Sequence, residues 1–408
     1  MENLLENGLA ALLDGNFEEA DRHFRQALEL TPGDANIWHH SGMLAHARGD
    51  LSDARRKVEQ ALKLDPDLFE ALNTLGSILR DQEEYESAAG AYSHAIECGG
   101  ESGEVFANRG ELYRRVGELD VAEVDCRKAV NLNPNLAAAH GNLAAVLMDC
   151  KDWIRAEQAL RRAILLTPGE IVFLINLSKI LVELNRPDEA LIFSKTAIGV
   201  SSGSVDALNA LGNAHYALMD YHSAEICYRK ALTVAPKHPD LHNNLGNTLA
   251  RQNQLDEAEK CFNLSLLISA ERPSTLTNLG GILHAQGRLE EALEKFEEAL
   301  RIDPDYVDGH WNRGLARLLT GDLSGGFKDY EWRFRLTEFD VRKGNIPLWE
   351  GESLAGKSIL IYSEQGYGDT IQFLRYVPML TDQGAKVFLE THKSLVRLLE
   401  GMDGVSEV

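Results

Sequence analysis

Apolar and small residues recur three and four places apart through Asp240–Ala270: Leu241, Leu245 and Leu249, then Leu255, Ala258, Phe262 and Leu266 after a polar break at 252–254. That spacing lays them along one face of each of two amphipathic helices. The pattern returns every 34 residues in both directions, with no insertion between Met1 and Tyr306. Place eight of the unit holds Gly8, Gly42, Gly76, Gly110, Gly212, Gly246, Gly280 and Gly314, with Ala144 and Ser178 as substitutes. Place twenty holds alanine from Ala20 to Ala292 and then Gly326. Place twenty-seven is alanine from Ala27 to Ala231 and again at Ala299, with Ser265 between. Pro32, Pro66, Pro134, Pro168, Pro236 and Pro304 close six of the copies.

Small side chains are needed where two helices cross closely. A proline after the second helix cannot continue it, so the next copy starts cleanly. A helix pair of this kind leaves an apolar face that only the next pair can bury, so the copies must stack. A 34-residue period with these small residues resembles the tetratricopeptide repeat, over about residues 1–340. The resemblance implies an all-α tetratricopeptide superhelical solenoid of nine full repeats and a tenth, 307–340, that acts as a cap. In the tenth, the small-residue pattern gives way to FKDYEWRFRL, and Trp311, Trp332 and Trp349 crowd the region. We expect an end cap that also docks the segment after it.

Residues 341–349 contain Pro347 and no helical period, and read as a linker. Beyond them the grammar changes to that of a short, partial α/β half-domain, 341–408 in all. KSILIYSE and KVFLE suit buried strands, and TIQFLRYVPML reads as a helix capped by Asp369 or Thr370. Ser394 is expected to cap LVRLLEGM, and Val405–Val408 to open a third strand. Alternating strands and helices with short loops predict a parallel, Rossmann-like sheet. Gly351, Gly356, Lys357 and Ser358 match a phosphate-binding loop, but the strand comes after Lys357 instead of before it, and the match is rejected.

Candidate chemistry lies in two places. EQGYGDTIQFLRYVP follows a strand and opens a helix, where open α/β sheets place their binding crevice. With Trp349, Gly351, Gly356 and Lys357, the residues Glu364, Gln365, Gly366, Gly368, Asp369, Thr370, Gln372, Phe373, Arg375 and Tyr376 resemble bacterial proteins in which tetratricopeptide repeats precede a glycosyltransferase-B domain of heptosyltransferase-like type. That resemblance implies that Asp369 is the base for an acceptor hydroxyl, on a substrate or phosphate loop with Gly366, Gly368 and Thr370. The alternative for Asp369 is a helix cap. The family's donor pocket lies mainly in a second half-domain, so a chain ending at Val408 is expected to lack turnover alone. No cofactor is expected for it, and a nucleotide-sugar donor only for a completed domain. The second place is the sixth position of the first helices, where Asn108, Asn142, Asn176, Asn244, Asn278 and Asn312 stand, broken by His40, Thr74 and Ala210. This array resembles that of O-GlcNAc transferases, which implies that the asparagines form a ladder holding polypeptide backbone in a concave groove. An amide both donates and accepts, so it can hold a peptide unit of any sequence. The alternative is that asparagine belongs to this place in such repeats generally.

A net charge of −22 argues against nucleic acid as partner, since phosphates are bound by Lys and Arg. The five cysteines form no motif with metal-ligand spacing and suggest a reducing compartment; Cys227 and Cys261, at one repeat place, read as core fillers. MENLLENGLAALLDGN carries acids where a signal peptide carries bases, and no apolar run reaches the length of about 18 residues of a membrane span. The expectation is a cytoplasmic solenoid that binds a polypeptide or protein, or a second copy of itself, and presents polypeptide to a glycosyltransferase-like domain. The rival is a pure scaffold without catalysis.

Overall fold

The computed structural model describes residues 2–99, 102–336, 347–364 and 366–408. Most of the expected linker, the last residues of the tenth repeat and Gln365 lie outside them. The chain forms two compact units, Met1–Cys261 and Phe262–Val408.

In the first unit the repeats are helix pairs such as Ala35–Ala47 with Leu51–Leu64, and the helices run from 12 residues (Glu2–Leu13) to 15 (Tyr85–Gly99). Place fifteen breaks each pair with a left-handed residue: Gly15, Gly49 and Gly117 take it without strain, and Glu83, Lys151, Asn185, Met219 and Asn253 take it at φ between 57° and 63°. Place sixteen then caps the second helix: the side chains of Asn16, Asp50, Asp152 and Asp220 accept from the amides of Glu19, Asp53, Arg155 and Ser223.

The small residues sit where the helices cross. Ala20, Ala54, Ala88, Ala122, Ala156, Ala190 and Ala224 are fully buried. In the first unit Gly8, Gly42, Gly76, Gly110 and Gly212 each face place twenty-four of their own repeat: a Cβ on Gly76 would stand 2.6 Å from the Tyr92 ring, and one on Gly212 would stand 2.5 Å from Tyr228. The substitutes obey the same fit. Ala144 shares its repeat with the slimmer Leu160, and Ser178 with Ser194, whose hydroxyls both donate to the carbonyl of Ala190. Within the first unit, first helices of most neighbouring repeats touch one another, whereas second helices do so at most marginally among the described residues. First helices therefore form the inner side of the stack. Of the two cysteines read as core fillers, Cys227 is buried and Cys261 only half-buried.

The second unit holds the helix pairs Pro273–Ala285 with Leu289–Ile302 and Val307–Thr320 with Leu323–Tyr330, the latter continuing as a 3-10 turn, Glu331–Arg335. Its α/β part is a parallel sheet in the order β1 (Ser358–Tyr362), β2 (Lys386–Glu390), β3 (Val405–Glu407). Val387 and Leu389 of β2 pack with Leu374, Val377, Leu395 and Leu399 from the intervening helices, so one face of the sheet is covered. The helix expected as one piece is broken: Tyr367–Phe373, a 3-10 turn Leu374–Tyr376, then Val377–Asp382. Pro378, in the first turn of the last piece, lacks the N–H that an unbroken helix would use. Two caps are corrected. Gly366, not Asp369 or Thr370, is the N-cap, because its φ of +70° turns the chain sharply out of β1. His392, not Ser394, precedes the helix Lys393–Leu399.

Candidate functional site

On the inner side of the first unit, polar side chains tie several first helices to the next. The Asn108 amide donates to Asn73 Oδ1 at 3.0 Å, Asn142 to the carbonyl of Ala107 at 2.9 Å, and Asn244 to Asn209 Oδ1 at 3.0 Å. His39 and Thr74 make the same link at 2.9 Å where the asparagine is missing. In every case the partners are 35 residues apart, joining place six to place five of the preceding repeat. Burial and the adjacent His40 push the His39 imidazole down to about 4, so this link is neutral. Asn176 is half-buried at the same place. In the second unit Asn278 is half-buried, and Asn312 donates to Asp308 of its own helix at 2.8 Å.

A second row of links runs two turns further along the same helices. His46 meets Asp81 at 2.9 Å, Arg114 meets Asp149 at 2.8 Å, and Arg251 donates to the Tyr216 hydroxyl at 3.3 Å, again 35 residues apart. Arg114 and Arg115 both bond Glu111. Burial alone would raise the Glu111 carboxyl, but these two arginines hold it below its ordinary value. The inner surface thus combines a neutral amide row with a charged row. The asparagines at place six were visible in the sequence. Their partners Asn73 and Asn209 were not singled out, although both occupy place five.

At the carboxyl ends of the strands in the second unit, Ser363 and Thr391 bond through their hydroxyls at 3.0 Å. Thr370 Oγ1 lies 3.1 Å from Ser363 Oγ and 3.0 Å from the Gly366 carbonyl. Tyr367 packs edge-on against His392, with ring centres 4.9 Å apart. Gly366, Gly368 and Asp369 are exposed at this rim. Asp369 lies in the first helical turn, where a carboxylate meets the positive end of the helix dipole.

Among the described residues, Arg333 joins the cap to this rim. Arg333 is buried, with its guanidinium over the rings of Tyr330 and Phe334, and it grips Glu364 through two bonds of 3.1 and 2.9 Å. Glu364 lies two residues past the end of β1. Trp332 stacks on His310 at 3.8 Å and completes the aromatic cap.

Tetratricopeptide-repeat family models match residues 5–67 and 41–102, 103–136, 203–269 and 280–321, together more than half of the chain. The unmatched fifth and sixth repeats, which carry Ala144 and Ser178, form the same helix pairs as the others. The chain is 26% identical to Protein FlbA of Caulobacter vibrioides over a stretch that covers 21% of each chain. Among solved structures it is similar to the Cut9–Hcn1 hetero-tetramer of APC/C, with TM-score 0.56 and 16% identity over 73% of this chain and 59% of that one. It is also similar to the human IFIT1 dimer with PPP-AAAA, with TM-score 0.50 and 18% identity over 82% of this chain and 89% of that one. The chain thus spans less than two thirds of FlbA and of the Cut9–Hcn1 chain, and the structural likenesses speak for the fold alone. No helix among the described residues is long and apolar enough to cross a membrane.

Proposed function

We propose that this chain, which belongs to the tetratricopeptide-repeat proteins, binds an extended polypeptide along the first helices of its first unit. The observation that carries the reading is the orientation of the place-six amides. Asn108, Asn142 and Asn244 each use one N–H on the preceding repeat. That bond holds the amide plane still and leaves the carbonyl oxygen for a peptide unit, with a second N–H beside it on Asn108 and Asn142, whereas the Asn244 amide also donates to Asn213 Oδ1 at 3.5 Å. A side chain already fixed in place loses less entropy on binding than a free one. Adjacent repeats set such amides about 10 Å apart, close to three residues of extended chain at about 3.3 Å each.

The test is the triple variant Asn108→Ala, Asn142→Ala, Asn244→Ala, titrated with an unstructured polypeptide and melted in parallel. With about 0.5–1.5 kcal/mol per hydrogen bond lost, affinity should fall at least about tenfold. Stability should fall as well, because each variant also removes a link between repeats. A lowered melting point with unchanged affinity would reduce the amides to braces and favour the pure scaffold.

A second reading assigns acid–base chemistry to Asp369. Its support is that the capping role is taken by Gly366, which leaves an exposed carboxylate on the rim above the strand ends. A carboxylate so placed can take the proton of an acceptor hydroxyl in glycosyl transfer. In a protein carrying the rest of such a domain, Asp369→Asn should abolish transfer and spare donor binding. An asparagine variant that keeps most of the activity rules the base out.

A further inference from the structure

The spacing of the cysteines and histidines along the chain shows no metal motif, yet the fold brings three ligand side chains together between the second and third repeats. Asp67 lies in the turn after Pro66, and its backbone N–H donates to Asp65 Oδ1 at 3.2 Å, which steadies the turn. His94 and Cys98 stand four residues apart on the helix Tyr85–Gly99, so they share one face. His94 Nε2 lies 3.3 Å from Asp67 Oδ1, and Cys98 Sγ lies 3.3 Å from the same oxygen. All three ligand atoms are within 4.8 Å of one another, and all three residues are exposed.

A tetrahedral zinc takes nitrogen and oxygen at about 2.0–2.2 Å and sulfur at about 2.3 Å, which puts neighbouring ligand atoms about 3.3–3.6 Å apart. Two of the three edges already have that length. Thiolate and imidazole together select a borderline cation such as zinc over calcium or magnesium, which prefer all-oxygen shells. We propose that Asp67, His94 and Cys98 form a surface site for zinc, with the fourth position open to water or to a donor group of a bound partner. The chain's net charge of −22 raises the local concentration of any cation. On binding, the thiol gives up its proton to solvent and coordinates as thiolate.

Hydrogen bonds within the trio would give the same separations, so the test must read the metal–sulfur bond itself. The reduced full chain is titrated with Co2+ and followed by near-ultraviolet absorption, then challenged with Zn2+. One equivalent of Co2+ should produce a thiolate-to-metal band that Zn2+ displaces. Cys98→Ser should abolish the band. Asp67→Asn and His94→Gln should each weaken binding more than about a hundredfold, beyond the cost of losing an outer-shell contact. Cys150→Ser, which changes the other exposed cysteine, should leave the titration unchanged. Because the three residues are exposed, the far-ultraviolet dichroism of all variants should match that of the parent. Absence of the band, or a band that survives Cys98→Ser, overturns the proposal.

Discussion

Asp329→Ala should loosen the tenth repeat and leave the first unit as it was. The Asp329 carboxylate is 4% exposed, takes two bonds from Arg313 at 2.7 and 2.9 Å and one from Arg317 at 2.9 Å, and faces His310 at 3.3 Å. Removing it strands the Arg313 guanidinium without its partner, and breaking a buried pair in this way costs about 3–5 kcal/mol. A repeat array is stabilised mainly by neighbouring units, so the loss should be local to this end repeat. Hydrogen exchange is the proper measurement: protection should fall in Val307–Thr320 and Leu323–Tyr330 and persist in the first unit. The same carboxylate predicts an acid response. Burial pushes it up, but the bonds from Arg313 and the charge of Arg317 bring it below its ordinary value. A folded value lowered in this way contributes stability that is full above the unfolded value and is lost as pH falls through the folded one. The parent's tenth repeat should therefore lose protection only at pH below the ordinary carboxylate range. Protection unchanged by Asp329→Ala would mean that the aromatic cap, not the charge cluster, holds the repeat.

Gly76→Ala should destabilise the third repeat, although alanine is the better helix former by about 0.5–1 kcal/mol. The new Cβ would stand 2.6 Å from Cδ1 and Cε1 of Tyr92. That ring is fully buried, and its hydroxyl is bonded to Ser77 at 3.0 Å, so it cannot swing away. Overpacking of this kind costs about 1–3 kcal/mol. The fifth repeat shows the remedy, with Ala144 and Leu160 at the same two places and both fully buried. Gly76→Ala combined with Tyr92→Leu should therefore be more stable than the two single losses added together, by at least about 1 kcal/mol in a double-mutant cycle from denaturant unfolding. Strict additivity would show that the two places do not share one packing constraint.

The tenth-repeat cluster and the glycine fit were not equally open to sequence reasoning. Place eight and place twenty-four are set by the repeat register, so their contact follows from how two helices of one pair cross. Arg313 and Asp329 lie sixteen residues apart at places seven and twenty-three, as do Arg109 and Asp125, yet nothing in the period itself says that these places meet. The links between repeats were still harder to foresee. The period is 34 residues, but the side chains that bond are 35 apart, because neighbouring first helices pack with place six beside place five. The place-six asparagines can thus be named from the register alone, whereas the direction of their amides cannot.

By itself the sequence determined the helix pairs, their 34-residue period and the small residues at their crossings, and it also placed the three strands. Hydrophobic periodicity and small-residue positions are local properties that repeat themselves in every copy, and stacking follows from the apolar face each pair leaves open. Only the tertiary structure decided what the polar groups do. It turned Asn108, Asn142 and Asn244 toward the preceding repeat, moved the cap from Asp369 to Gly366, seated Arg333 on Glu364, and gathered Asp67, His94 and Cys98. The physical reason is common to the three that join separate elements; the cap follows from the positive φ of Gly366. A polar contact is fixed by distance and angle to within a few tenths of an ångström. That geometry is set by how separate elements pack, which no single stretch of chain encodes.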